Sequence, residues 1–231
     1  MAIDAAGLHQ GYLRAFAKRG GKLWRNAEAL SVSPDAGGVW RVETRAGAIE
    51  AAVLVNAAGA WGDDVARLAG VAPIGLQPKR RTAVLLDPPG AQRGLESMPM
   101  VTDIDDDFYV KPEGDALMVS PADETPAPPA DIQPEELDVA IAVDRFERLT
   151  GSSVRSLRRR WAGLRSFVSD HSPVIGFDND MPAFFWLVGQ GGFGIMTAPG
   201  AAGLAAGLIE RRAQGPAFER TIPKVAPARR R

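Results

Sequence analysis

The chain of 231 residues is long enough for one large domain or two small ones, and its 45% apolar and 24% charged residues are typical of globular proteins. With 27 basic and 28 acidic residues, the net charge of -1 gives no overall field toward nucleic acid or an anionic membrane. The absence of cysteine excludes disulfides, thiolate catalysis and cysteine-ligated zinc. No apolar run approaches the roughly 20 residues of a membrane helix. The N-terminus lacks a signal-peptide pattern, so we expect a cytoplasmic protein without a membrane span.

The first part of the chain mixes helical and strand patterns. A helix is predicted over residues 4–20, and strands over residues 27–33 and 39–45. Residues 49–58 alternate too little for a half-exposed strand and predict one strand buried on both faces of a parallel sheet. A helix is predicted at residues 61–69.

The middle of the chain changes to short strands separated by Pro and Gly. Residues 75–120 predict an antiparallel sheet, and residues 121–134 an exposed, Pro-stiffened connection. A helix at 134–149 and strands at 161–168 and 184–188 follow.

We therefore expect residues 1–74 and 161–213 in one domain and 75–160 in another. Residues 214–231 are expected to form a tail whose basic end, KVAPARRR, is disordered.

A glycine turn, GQGGFG at residues 189–194, stands between a predicted strand and a predicted helix. Its spacing matches the dinucleotide fingerprint, but that motif needs a second strand ending in an acidic residue about 20 positions on, and no convincing strand follows. Two interpretations remain. The glycines permit a tight turn, or they let the backbone approach a flat ring such as a flavin beside a helix N-terminus.

Ordered segments favour the flavin interpretation. GQGGFGIMTAP resembles the C-terminal flavin-contacting motif of the D-amino-acid oxidase superfamily of FAD enzymes, which includes glycine oxidase. Within this superfamily, the sequences of the matching segments are most similar to D-arginine dehydrogenase-like members. Further matches are VLVNAAGAW, similar to a strand and turn of the FAD domain, LQPKRRTAVLL and FYVKPEGDALMVSPADETP, similar to substrate-domain strands, and WAGLRSFVSDHSPVIG, similar to the strand of the substrate-binding arginine. The resemblance covers residues 4–212.

The resemblance implies an α/β fold of mixed α+β type: part of an FAD-domain sheet plus an antiparallel substrate-domain sheet flanked by helices. The N-terminal G-x-G-x-x-G βαβ unit of the family is missing, so we expect weak FAD retention by the isolated chain. The implied function is oxidative deamination of an amino acid by hydride transfer to FAD, with a separate N-terminal FAD-domain polypeptide as a possible partner. The alternative is a non-catalytic remnant or partner-binding subunit that keeps the fold without turnover.

Substrate residues follow from the same resemblance. It implies that Arg165 binds the substrate α-carboxylate, for which a planar guanidinium suits; a surface salt bridge is the alternative. The resemblance also assigns Tyr109 to the substrate carboxylate. Packing in the hydrophobic core is the alternative role for this tyrosine. Arg81 is a second carboxylate ligand, or part of a solvated basic cluster with Lys79 and Arg80.

Backbone groups carry the remaining implied contacts. The carbonyl of Gly192 is expected to accept from the substrate amine. The implied flavin contacts are Gly191, Gly192, Gly194, Ile195, Met196, Ala58, Gly59 and Trp61. The implied adenine contacts are Glu28 and Ala29.

Three other patterns carry no function. The run DIDDDF has calcium-loop spacing, but Phe108 and Gly114 stand where an EF-hand needs Gly and Glu, so a solvated acidic turn is expected. Two histidines are too few for a histidine-rich metal site, and no metal ligands are assigned. RSLRRR, residues 155–160, predicts an exposed strand edge rather than a nucleic-acid patch.

Overall fold

A computed structural model of the chain describes residues 3–89 and 94–230. The helices are α1 Ala5–Lys18, α2 Gly62–Leu68, α3 Glu136–Thr150, α4 Gly194–Ile209 and α5 Pro216–Val225. The strands are β1 Ala29–Pro34, β2 Trp40–Thr44, β3 Gly47–Ala51, β4 Leu54–Asn56, β5 Gln77–Leu86, β6 Val101–Thr102, β7 Tyr109–Glu113, β8 Ala116–Ser120, β9 Thr125–Pro126, β10 Leu157–Phe167, β11 Val174–Phe177 and β12 Phe184–Val188.

The chain divides into two compact units. The first unit contains the residues up to Leu76 and those from Ser166 onward, and the second contains Gln77–Arg165. The sequence placed these boundaries at residues 75 and 161. Each unit has helices packed against sheets, which confirms the mixed α/β fold class.

The first unit contains two three-stranded sheets, with strand orders β1-β2-β3 and β11-β12-β4. Its core is built on aromatic residues from both sheets. Trp40 meets Phe184 edge-on at 5.9 Å, and Phe184 meets Trp186 at 5.0 Å. The indole nitrogen of Trp40 donates to the carbonyl of Ala183 at 2.9 Å, so the ring is buried without losing its hydrogen bond.

The single buried strand predicted over residues 49–58 is wrong. β3 ends at Ala51 and is a mostly exposed antiparallel partner of β2, whereas β4 starts at Leu54 and runs parallel to β12. The run AAVLVNAA looks uniformly apolar because alanine fits exposed and buried positions equally well. The sequence pattern therefore missed the bend between the two sheets.

The tail expected at residues 214–231, with its disordered basic end, is also wrong. Residues 216–225 form α5, in which Phe218, Ile222 and Val225 pack against a core that includes Phe185. Their spacing places them on one face of a helix. Beyond the helix, Arg229 donates to both carboxylate oxygens of Asp170, at 2.8 and 3.2 Å.

The second unit is built on the predicted antiparallel sheet, which is confirmed. Its strand order is β10-β5-β8-β7-β6, and β9 pairs with β5. The helix predicted at residues 134–149 is observed as α3, and its Ala142 and Phe146 pack against Val84 and Val119 of the sheet. Residues 121–134, expected to be a plain connection, contain β9. Within the residues described, no helix is both long and apolar enough to cross a membrane.

Candidate functional site

Two loops of the first unit leave the same edge of a sheet. β4 and β12 are parallel neighbours, with Leu54 opposite Phe184 and Asn56 opposite Trp186. Since neighbouring strands lie about 4.8 Å apart, the segments after their carboxyl ends start side by side. These are the two segments assigned to the flavin, after Asn56 and after Val188. Carboxyl ends of parallel strands are where open α/β sheets bind ligands.

Asn56 shapes the first of these loops. Its buried side chain donates to the carbonyl of Gly62 at 2.8 Å and accepts from the backbone N–H of Ala58 at 3.3 Å. The loop forms a short 3-10 helix at Gly59–Trp61, in which Gly59 has φ of 57° and Trp61 is 45% exposed. The sequence analysis did not predict these two side-chain hydrogen bonds of Asn56, although an Asn directly after a strand favours a local side-chain turn.

The second loop is a turn in which position 191, occupied by Gly191, accommodates only glycine. Its φ is 54°, and a Cβ atom built there would lie 2.5 Å from the ring of Phe167. The N–H of Gly191 donates to the carbonyl of Ser166 at 3.0 Å. The ring of Phe167 therefore lies directly against bare backbone at the turn. The sequence did not identify Phe167 as part of the site.

The N-terminus of α4 follows the turn and presents backbone donors and apolar side chains. The residue before the helix, Phe193, makes no side-chain capping hydrogen bond. The first-turn residues Ile195 and Met196 are 49% and 62% exposed, and Gly192 in the turn is exposed. A helix N-terminus has N–H groups without intrahelical partners, which suit electron-rich ring atoms.

Ala29 begins β1 in the other sheet of this unit, and Glu28 directly precedes it. The carbonyl of Glu28 accepts from the N–H of Arg45 at 3.2 Å, and its carboxylate binds the Arg45 side chain at 2.6 Å. Ala29 opposes Thr44 across the β1–β2 ladder. The structure thus brings Ala58–Trp61 and the glycine turn to one sheet edge, but it places the two expected adenine-contacting residues at a different sheet.

The three expected carboxylate ligands meet in the second unit. Arg81 on β5 has a side chain only 13% exposed, and Arg165 on β10 and Tyr109 on β7 are half-buried. Tyr109 and Glu124 both lie close enough to the guanidinium of Arg165 to act on its charge. Burial and the positive charge of Arg81 lower the pKa of Arg165, while Tyr109 and Glu124 oppose that shift. We call Arg81, Arg165 and Tyr109 the guanidinium cluster.

The basic run Lys79–Arg81 is divided between the two faces of β5, as strand alternation dictates. Lys79 and Arg81 both bind Glu124, at 2.8 and 3.0 Å. Arg80 points the other way and binds Asp138 at 3.0 Å. The alternative of a solvated basic cluster is therefore wrong, since these side chains are 19%, 13% and 7% exposed.

Glu124 is the member of this site that the sequence did not single out. It was included in a connection judged exposed. A detectable signal was present, because the acidic pair Asp123-Glu124 is the natural counterpart of three consecutive basic residues on a strand.

The acidic run and the arginine run form the structures that the sequence predicted. The acidic run forms a turn in which the Asp103 carboxylate accepts from the N–H of Asp107, and no group of three or more His, Cys, Asp or Glu that could hold a metal occurs within 3–89 and 94–230. The arginine run lies on β10 at the end of the sheet order, and Arg158 pairs there with Asp87. This confirms the exposed strand edge.

Comparison with known proteins identifies the family. The model of the family described as DAO, FAD dependent oxidoreductase, matches residues 1–208. Human mitochondrial sarcosine dehydrogenase is 28% identical over 213 residues, which is 86% of this chain and 23% of that protein. Among solved structures, L-proline dehydrogenase from P. horikoshii has a TM-score of 0.77 at 22% identity, covering 92% of this chain and 56% of that one. Glycine oxidase from Geobacillus kaustophilus has a TM-score of 0.70 at 20% identity, covering 87% and 52%.

The chain belongs to the DAO family of FAD-dependent oxidoreductases, and FAD is the cofactor of this family. It spans less than a quarter of the length of sarcosine dehydrogenase and about half that of the solved relatives. The glycine turn fits a flavin, because a bare backbone bend and uncapped helical N–H groups lie beside exposed apolar side chains.

Proposed function

We propose that this chain takes part in the FAD-dependent oxidative deamination of an amino acid, with D-amino acids as the preferred class. The observation that carries the proposal is the guanidinium cluster, in which two partly buried arginines and a tyrosine hydroxyl lie together on one sheet. In all candidate substrates, the carboxylate and the amine are attached to the same carbon atom, Cα.

Charge supports a carboxylate ligand at this cluster. Lys79, Arg81 and Arg165 carry three positive charges, and Glu124 supplies one negative charge among them. Burial and the neighbouring charge of Arg81 lower the pKa of Arg165, which supports the need for a further negative charge beside it. A ligand carboxylate would compensate it through a planar, two-point contact that a guanidinium forms well and an ammonium does not.

The residues divide the work of the reaction. Within the second unit, Arg165, Tyr109 and Arg81 would bind and orient the carboxylate. Within the first unit, the exposed Gly192 would offer its backbone carbonyl to an amine. When bound, FAD would supply the hydride-accepting chemistry that converts the amino acid to an imine, which water would hydrolyse to a keto acid and ammonia. The free amine assists with its lone pair, so the chain needs no strong general base.

The flavin contacts are proposed for the two loops at the β4–β12 edge. Gly191, Gly194, Ile195 and Met196 would approach the ring mainly through backbone atoms. Ala58, Gly59 and Trp61 would do so from the neighbouring loop. The turn presents bare backbone at Gly191, where any side chain would collide with Phe167.

We also propose that a further βαβ segment, on the same or a separate polypeptide, completes the FAD site. β4 is last in the order β11-β12-β4, so in the described part of the chain one of its edges has no partner strand. Val55 in the middle of β4 is 39% exposed. An added parallel strand would satisfy that edge and cover this side chain.

The test uses the purified chain with FAD added in excess, because the chain is expected to retain FAD weakly, and compares two variants on one strand. FAD binding is followed by flavin absorbance, and turnover is measured with a dye acceptor and a panel of D-amino acids, glycine, sarcosine and L-proline. Arg165→Lys is expected to lower kcat/KM about 10- to 150-fold, as for a lost charge-assisted hydrogen bond of about 1.5–3 kcal/mol.

The matched control is Arg158→Lys, since Arg158 lies on the same strand and is paired with Asp87 and Asp115 at an exposed edge. Its turnover should equal that of the parent. Equal losses in the two variants would reject the carboxylate role of Arg165.

A further inference from the structure

We propose that Glu124 is a positioning residue, whose carboxylate holds the guanidinium of Arg81 in place beside Arg165 so that the two can bind one anion. The inference rests on the proposed function, because it assigns a task within the same carboxylate site. It goes beyond that function by naming a residue that does not itself touch the ligand.

Arg81 depends on Glu124 for its orientation. Its Nη2 donates to a Glu124 oxygen at 3.0 Å, whereas its buried Nε has no hydrogen-bond partner among the described residues. Two positive guanidiniums repel, and burial strengthens that repulsion because less water screens it. The Glu124 charge opposes the effect that Arg81 and burial have on the pKa of Arg165. One carboxylate thus both orients Arg81 and offsets its repulsion with Arg165.

The backbone around Glu124 is fixed on both sides. The preceding residue, Asp123, accepts from the N–H and the hydroxyl of Thr82 at 2.6 and 3.0 Å. The following residue, Thr125, begins β9 and lies opposite Arg80 of β5. Since both neighbours are tied to the same strand that carries Arg81, the Glu124 carboxylate cannot move far from this guanidinium.

Asp123 and Glu124 therefore pair with basic residues on opposite faces of β5. Asp123 is 7% exposed beside Arg80, and Glu124 binds Lys79 and Arg81 on the other face. The Glu124 side chain, 39% exposed, also remains open to solvent, as a residue at the rim of a ligand site must be.

The experiment compares Glu124→Gln and Glu124→Ala in the full chain. Glutamine keeps an oxygen that can accept from Arg81, whereas alanine removes it. Propionate, a carboxylate without an amine, serves as the probe, and its affinity is measured by NMR titration. We expect Glu124→Ala to weaken propionate binding at least fivefold and Glu124→Gln to stay within twofold of the parent or bind more tightly.

The matched control is Glu113→Gln, because Glu113 forms an exposed pair with Lys111 on the same sheet. It should leave propionate affinity unchanged. Tighter binding in both Glu124 variants would mean that Glu124 merely competes with the ligand, and unchanged binding in both would mean a structural role. Equal weakening in both would mean that the charge alone acts. Each of these results overturns the proposal.

A second readout needs no ligand. Rotation about the Cζ–Nη bonds of Arg81, seen in its side-chain NMR signals, should be slow in the parent and in Glu124→Gln and fast in Glu124→Ala. Fast rotation in the parent would overturn the positioning role even if propionate does not bind. Absence of propionate binding to the parent with slow rotation would instead reject the proposed function and leave the positioning role supported.

Discussion

At the scale of single residues, the tyrosine of the guanidinium cluster differs from an ordinary core aromatic residue. Tyr109 is half-buried at the start of β7, and it lies close enough to Arg165 to act on the charge of that guanidinium. Aromatic residues on strands usually contribute packing alone. The polar contact of Tyr109 points to a task for its hydroxyl.

Tyr109→Phe should therefore weaken propionate binding about three- to tenfold, with little change in the free energy of unfolding, because one hydrogen bond contributes about 0.5–1.5 kcal/mol. The measurement is the same NMR titration, combined with urea unfolding. Tyr12→Phe is the control, since Tyr12 is 46% exposed on α1. A loss of stability without loss of affinity would assign Tyr109 to packing.

Gly191 allows an equally sharp test of the turn. Alanine there would require a left-handed backbone and would collide with the Phe167 ring, so Gly191→Ala should cost about 2–4 kcal/mol of unfolding free energy. Gly200→Ala in α4 is the control, because a Cβ at that position meets no atom within 4 Å and alanine favours helices. Urea unfolding midpoints compare the two variants. Similar midpoints would contradict the tight turn.

At the scale of elements, β5 is joined to α3 by a buried ion cluster. Arg80, 7% exposed, binds Asp138 of α3 at 3.0 Å, and Asp123 lies 3.7 Å away. Burial, and next the negative charge of Asp123, raise the pKa of Asp138 above its ordinary 3.8. A carboxyl group with a raised folded pKa stabilises the fold when protonated, and this contribution is lost as pH rises through the folded pKa.

Asp138→Asn should remove that pH dependence. The unfolding free energy of the parent relative to Asp138→Asn is expected to fall as the pH rises from below 3.8 through the raised folded pKa. Urea unfolding across pH 3.5 to 7, with about 0.5-unit steps, gives the difference curve. Asp144→Asn on the same helix, whose carboxylate is 54% exposed beside Arg148, is the control. A difference that rises with pH would contradict the buried-cluster account.

At the scale of the whole molecule, the end of the chain is part of the first unit's core. α5 places Phe218, Ile222 and Val225 over Phe185 and Leu204, and Arg229 fixes the turn that contains Asp170. A segment that looked like a disordered tail thus closes a hydrophobic cluster.

Removing residues 216–231 should therefore destabilise the chain by several kcal/mol and expose an apolar surface, since each large apolar side chain contributes about 1.5–3 kcal/mol when fully buried. Urea unfolding and size-exclusion chromatography measure stability and aggregation. Arg220→Ala, at an exposed position of the same helix, is the control. An unchanged midpoint in the truncated chain would show that α5 contributes no stability.

The sequence alone determined the regular parts of this protein and its family. Periodicity predicted α3 and the antiparallel sheet of the second unit, and ordered motifs identified the family. These features depend on neighbours within one segment, where side-chain spacing reflects the local structure.

Only the tertiary structure decided which distant residues share an environment. It separated β3 from β4, turned the expected tail into α5, and paired Glu124 with Lys79 and Arg81. The physical reason is that burial and charge compensation depend on strands brought together from far along the chain. An alanine-rich run or an acidic pair in a loop looks the same in the sequence whether it ends in solvent or against a buried guanidinium.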